Sequence, residues 1–181
     1  MTDDLARLFT ALWLPADVRD HLADHLAAAG GHAVRGTKPE PVERWHLTLC
    51  FHGELPIERQ VARLSEVLRG LPAPTLRLRG AGEFHNGPKG VLWAGVEPAT
   101  PGDGRALHAL ALAAGADRDR FDPHLTLLRW TGPRPETRSL DTALADYTGP
   151  WWTPTELALV RSDRTPSGPH YTSVARLALT C

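Results

Sequence analysis

His46-Leu47-Thr48-Leu49 recurs unchanged as His124-Leu125-Thr126-Leu127. An identical tetrapeptide at two distant points of one chain marks an internal repeat. Trp45 to Phe51 alternates in polarity and reads as a strand, and His124 to Trp130 reads as another. Side chains on a strand point to opposite faces in turn. Leu47 and Leu49 therefore enter a core while His46 and Thr48 face the other way, and the second copy does the same. The simplest account is a duplication with one copy in each half of the chain. If the halves pack about a pseudo-two-fold, two His and two Thr line one groove.

Outward from the first copy, Leu8 to Leu14 is a short apolar run that suits a buried strand, closed by Pro15. Val18, Leu22 and Leu26 then recur at helical spacing, and Gly30-Gly31 ends that run. Gly36 to Glu43 holds two Pro and reads as a loop. Pro56 to Leu68 carries the stripe Val61, Leu64 and Leu68 and predicts a second helix. Thr75 to Arg79 and Gly90 to Val96 read as strands, and Gly104 to Gly115 as a third helix. Thr137 to Tyr147 is a short helix or a loop. Glu156 to Ser162 and Tyr171 to Leu179 close the chain as two strands. Helices interleave with strands that are often adjacent in sequence, which favours α+β over a doubly wound sheet. Neither common Gly-rich phosphate loop is present, which weakens ATP and NAD readings.

Composition narrows the class. The chain has 181 residues, 20 Lys+Arg against 21 Asp+Glu and a net charge of −1. That balance argues against coating a nucleic acid by bulk charge, though not against gripping one phosphate. Two Cys cannot form a secreted disulfide framework. No apolar run is long enough for a membrane span. The opening Met1-Thr2-Asp3-Asp4 is acidic where a secretory signal would be basic. The chain reads as cytoplasmic, with no membrane, no obligate protein partner and no need to be more than a monomer.

The repeated residues form a coherent chemical set. Histidine titrates near neutral pH, so a pair can divide the roles of proton donor and acceptor. Threonine hydroxyls can hydrogen-bond phosphoryl oxygens and stabilise charge developing at phosphorus. Arg129 follows Thr126 by three residues, and its fork suits a phosphate oxygen pair or serves as an ordinary surface charge. Histidine also binds metals, but threonine is a poor ligand. The expected site therefore holds no metal and no cofactor. Cys50 reads as a small buried residue, and His21, His25, His32 and His108 as surface residues in or beside helices. Trp151-Trp152 reads as packing or as a base platform, and Arg161 to Arg164 as a solvated turn or a guide for a nucleic-acid end.

These paired motifs resemble the two-histidine phosphoesterase superfamily, most closely the bacterial RNA 2′,3′-cyclic phosphodiesterases long labelled 2′-5′ RNA ligases. The likeness extends beyond the repeat. Arg7-Leu8-Phe9 with Ala11 is similar to the family's first strand. Phe51 and Gly53-Glu54 extend the first motif, and Val91-Leu92-Trp93 with Gly95-Val96 is similar to a central strand. Phe121, Pro123 and Arg129 frame the second motif, and Leu159 to Ser162, Gly168-Pro169 and Tyr171 resemble a closing hairpin. His52 departs from the family, which commonly has an apolar residue there. On a regular strand it shares the face of His46, Thr48 and Cys50 and lies near the groove rim, unless it is only a local substitution. Asp122 stands where a basic or polar residue is common and adds negative charge near the phosphate.

The resemblance implies one two-lobed α+β domain over residues 1–181. Its pseudo-symmetric lobes are each an antiparallel sheet with outer helices, with the active-site groove between them. It implies metal-independent hydrolysis of an RNA terminal 2′,3′-cyclic phosphate to a 2′-phosphomonoester. His46 is then the proton donor to the leaving 3′ oxygen, and His124 the acceptor that activates water. Thr48 and Thr126 hold the phosphate with Arg129 assisting. The partner is an RNA 3′ end or a nucleotide bearing a cyclic phosphate. The same residues fit another nucleotide cyclic phosphate, a 2′-5′ linkage made or cut, or an RNA-end-binding module without catalysis.

Overall fold

The computed structural model describes residues 4–180; the acidic opening Met1 to Asp3 and Cys181 lie outside them. In chain order the elements are β1 (Leu5–Trp13), α1 (Ala16–Ala28), β2 (Thr37–Pro39), β3 (His46–Pro56), α2 (Ile57–Val67), β4 (Leu76–Asn86), β5 (Lys89–Pro98), α3 (Pro101–Ala114), β6 (His124–Thr131), α4 (Arg138–Ala145), β7 (Glu156–Thr165) and β8 (Gly168–Ala178). The fold is α+β, as the order of segments predicts. Val18, Leu22 and Leu26 are the buried stripe of α1. Gly115, at φ +113°, closes α3 in a left-handed conformation that a side chain would resist.

The strands form one antiparallel eight-stranded sheet in the order β4-β5-β6-β3-β1-β7-β8, with β2 on β6. Its two wings are unequal partners at the centre. β1 pairs with β3 from Leu5–Pro56 to Trp13–His46, and β5 with β6 from Lys89–Thr131 to Gly95–His124. β3 and β6 meet only through the register pair Leu47–Leu125 among the described residues. The second residue of each tetrapeptide thus forms the seam between the lobes.

The lobes are not the two halves of the chain. β1 and β3 are completed by β7 and β8, from the far end of the sequence, while β4, β5 and β6 are contiguous and borrow β2 from the N-terminal half. Each half carries one motif, but each lobe draws on both halves. The expected loop Gly36 to Glu43 also contains more order than its prolines suggest. Thr37 to Pro39 is recruited as a strand against Leu128 to Trp130.

The core lies between the sheet and its helices. Leu8, Leu12, Leu47, Leu49, Leu125 and Leu127 are all buried there. α2 packs on β1, β3 and β8, α3 on β3 and β5, and α4 on β4. β1 is buried on both faces, because Phe9 and Ala11 join Ala158 and Val160 in a second small cluster on the opposite side. Two of the histidines expected at the surface are exposed but bonded. His21 meets the Tyr147 hydroxyl and His25 donates to the Ala143 carbonyl, tying α1 to α4.

Candidate active site

Strand register decides which side chains face the groove. Along β3, Ala11 pairs with Thr48 and Thr10 with Cys50, so Leu49 is an extra residue opposite one bond of β1. Along β6, Trp93 pairs with Thr126 and Leu92 with Leu128, so Leu127 is extra in the same way. Each copy of the motif therefore carries a β-bulge at its fourth residue. A bulge lets two adjacent side chains share a face and shifts the alternation beyond it. Leu127 and Leu128 are both fully buried, and Arg129 emerges on the face of His124 and Thr126. On β3 the same shift presents Phe51, not Cys50, beside Phe9 on the face of His46 and Thr48.

A further extra residue on β3, His52, lies between Phe51–Phe9 and Gly53–Leu8. The expectation that His46, Thr48, Cys50 and His52 share a face is therefore overturned. Cys50 Sγ lies against Gly115 at the end of α3, and His52 lines a separate cleft with α2. Cys50 is half-buried and free, and burial pushes its thiol pKa up.

The two histidines are held alike. His46 Nδ1 lies 2.5 Å from the Arg44 carbonyl, and His124 Nδ1 lies 2.7 Å from the Asp122 carbonyl. A carbonyl only accepts, so Nδ1 carries the proton in each ring. Nε2 is left without a hydrogen-bond partner among the described residues in both. Aromatic side chains hold the rings. Phe9, Trp13 and Tyr171 surround His46 at centroid distances of 5.2, 5.1 and 5.7 Å. Phe84 stands edge-on to His124 at 4.8 Å, with Trp93 behind it at 6.0 Å. Trp93 in turn lies over Gly82, where a Cβ would come within 2.3 Å of its ring.

Burial lowers the pKa of both rings. His46 falls to about 4, chiefly by desolvation, with the charges of Arg129 and His124 adding to it. His124 is lowered by the same cause, while its bond to the Asp122 carbonyl and the Asp122 carboxylate oppose the shift. These mutual effects place His46, His124 and Arg129 within one electrostatic neighbourhood. Thr48, Thr126, His124 and Arg129 line a single cavity of about 530 Å³ together with Phe51 and Asp122. Neither threonine hydroxyl nor the Arg129 guanidinium has a hydrogen-bond partner among the described residues, so all three are available to a ligand.

Residues not anticipated as functional complete the surroundings. Lys38 pairs in register with Arg129, and Lys38, Arg44 and Arg129 act together on the half-buried Glu40, whose carboxyl pKa is raised by burial. Phe51, 74% exposed, also borders a second cavity of about 390 Å³ lined by Arg7, Phe9, Arg164 and Tyr171. Arg164 lies in β7, because Arg161 to Arg164, expected as a solvated turn or a guide for a nucleic-acid end, pair in register with β8. Trp152 is buried, and Trp151 carries the Arg77 guanidinium over its ring at 4.2 Å; neither borders these two cavities.

Two symmetric histidines on bulged strands, flanked by threonines, define the class of two-histidine phosphoesterases. The family model of the 2′-5′ RNA ligase superfamily matches residues 15–166, and the chain belongs to that superfamily. It is 34% identical over 189 aligned residues to an RNA 2′,3′-cyclic phosphodiesterase of Thermus thermophilus, covering 96% of this chain and 90% of the relative. It is 35% identical to one of Methanothermobacter thermautotrophicus, covering 93% and 96%. Its fold matches Escherichia coli LigT complexed with phosphate at a TM-score of 0.70 and 29% identity, over 98% of this chain and 99% of that one.

Proposed function

We propose that this protein hydrolyses the 2′,3′-cyclic phosphate at an RNA 3′ end, leaving a 2′-phosphomonoester. The observation that carries the reading is the matched pair of histidines. Each is fixed through Nδ1; His124 lines one cavity with two threonines and an arginine, and the charges of His124 and Arg129 act on His46. Relatives named for this activity cover nearly the whole chain.

The chemistry follows from the groups present. His124 Nε2 accepts a proton from water as the water oxygen bonds to phosphorus. His46, in its protonated form, gives a proton from Nε2 to the 3′ oxygen as the P–O3′ bond breaks. The two rings end with exchanged protonation states and re-equilibrate with solvent. This assignment of donor and acceptor follows the family. Thr48 and Thr126 donate to the non-bridging oxygens, and Arg129 balances the charge that builds there. Exposed Phe51 gives the terminal base a stacking surface, with Arg7 and Arg164 beyond it for the incoming chain. The reading includes no metal or cofactor, one catalytic unit spanning both lobes, a monomer and a cytoplasmic setting. No helix of the described residues is long and apolar enough to cross a membrane.

The test is an oligoribonucleotide ending in a 2′,3′-cyclic phosphate, incubated with the protein in excess chelator. Accumulation of the 2′-phosphate supports the reading, and binding without turnover refutes it. Parallel rates on a nucleoside 2′,3′-cyclic phosphate and on a 2′-5′-linked dinucleotide rank the competing substrates.

A further inference from the structure

The bulge that removes His52 from the groove delivers it to a cleft of about 550 Å³ between the first turn of α2 and the end of α3. Arg59, Gln60 and Arg63 of α2 face His52 there, and Gly115 forms the opposite wall. Gly115 also borders the cavity that holds His124, so the cleft adjoins the active site.

Gln60 is unusual in this setting. Its residue is only 5% exposed, yet Nε2 has no hydrogen-bond partner. Its amide orientation is not arbitrary, because Arg63 Nε donates to Gln60 Oε1 at 3.2 Å. Exchanging the two amide atoms would set donor against donor. The orphan is therefore a donor. His52 Nε2 is a second buried polar atom without a partner in the same cleft. Leaving such groups unpaired is unfavourable, and a ligand that accepts from the Gln60 donor removes that cost.

The local charge is positive. Arg63 spends its NH groups on the Ala113 and Ala114 carbonyls, which cap α3 but carry no compensating charge. Arg59 is exposed and forms no ion pair among the described residues. No side chain caps the N-terminus of α2, where Pro56 precedes the first turn. Ile57 N–H donates to the Asp4 carbonyl, and the other N–H groups of the first turn and the helix dipole favour an anion. Glu58 is the acidic residue of that turn, and it does not line the cleft.

We propose that this cleft is a second anion site that takes a phosphate group, with Gln60 Nε2 and the Arg59 guanidinium as donors and His52 on its wall. The phosphate belongs either to an RNA strand whose end lies in the active site or to a free phosphate compound. The first source alone rests on the function proposed above.

The probe is inorganic phosphate, followed by ¹⁵N NMR of the Gln60 side-chain amide and the imidazoles. The Gln60 and His52 signals are expected to shift and saturate on their own curve, separate from that of His46 and His124. Arg59→Ala should weaken that curve about tenfold and leave the His46 and His124 curve unchanged. Arg59 is exposed and unpaired, so the variant tests binding rather than folding. Gln60 and His52 signals that stay still while His46 and His124 saturate would mean that water alone fills the cleft, and would overturn the proposal. An unchanged Gln60 curve in Arg59→Ala would overturn it as well. Neither result depends on turnover, so the catalytic reading stands or falls separately.

With binding established, a rise in KM for a cyclic-phosphate oligonucleotide in Arg59→Ala, but not for a nucleoside cyclic phosphate, identifies the strand as source. Equal KM values for both identify a free phosphate. Either answer supports the site.

Discussion

Phe51 and Arg129 occupy the same place in the two copies of the repeat. Each follows its threonine by three residues, and each is turned onto the histidine face by a bulge at the intervening leucine. The pseudo-two-fold that duplicates the histidine and threonine thus breaks at this position, with an aromatic ring on one side and a cation on the other. The asymmetry suits a substrate that is itself asymmetric, a flat base joined to a charged phosphate.

That division should separate in kinetics. Phe51→Ala is expected to raise KM for nucleotide substrates about tenfold or more, from a stacking loss of about 1–3 kcal/mol, with a smaller effect on kcat. Arg129→Lys keeps the charge but loses the fork, so it should lower kcat/KM despite its conservative appearance. Steady-state kinetics on a nucleoside 2′,3′-cyclic phosphate measures both; a kcat loss alone for Phe51→Ala would argue against stacking.

Within the tetrapeptide, stability and chemistry alternate residue by residue. His46→Ala and His124→Ala should each cost about 10²-fold or more in rate while leaving the fold intact. Leu47→Ala and Leu125→Ala empty the seam of the sheet and should cost about 2–5 kcal/mol of stability. Denaturant titration beside initial rates checks the pattern.

The pH dependence is set by the lowered histidines. One ring must be charged and the other neutral, and kcat/KM reports the free protein. His46 titrates near 4 and His124 below its ordinary value. The kcat/KM profile should therefore peak on the acid side of about 6.5, the ordinary histidine pKa. Bound phosphate favours the charged form of a nearby ring, so the kcat profile should lie at higher pH. Rates from acid to neutral pH test this, and a kcat/KM optimum above neutrality would contradict it.

His52 should cost stability. Its pKa is lowered to about 4, chiefly by burial and then by the charge of Arg63. A histidine depressed by folding contributes nothing adverse above its unfolded pKa, near 6.5, and destabilises progressively as pH falls from there toward 4. His52→Leu is expected to be more stable than the parent at neutral pH, through loss of the unpaired Nε2. That margin should widen on acidification, as urea midpoints at pH 7 and near pH 4.5 would record.

The repeat made the two histidines and two threonines legible in the sequence, and the order of helical and strand segments made the α+β class legible. Alternation failed where bulges intervene, because a bulge is imposed by the partner strand and not by local preference. Leu127-Leu128 did carry a signal, since two adjacent apolar residues interrupt an otherwise alternating strand. Leu49-Cys50-Phe51 carried less of one, and His52 was misplaced for that reason. Phe84, Trp93, Trp13 and Tyr171 were illegible as a group, because four different strands bring them to the two rings. β2 was hidden by Pro39 and the nearby Pro41; the free edge of β6 recruits it despite poor strand propensity.

The interleaving of the lobes also orders events on the ribosome. The neighbours of His124 come from β4 and β5, immediately upstream, so its surroundings are available as soon as β6 emerges. His46 is made much earlier but waits for Tyr171 on β8, the last strand to appear. Contacts between distant segments form late. The nascent chain therefore carries an unfinished pair of histidine settings past the message being translated, and the surroundings of His46 are completed only with the β7–β8 hairpin.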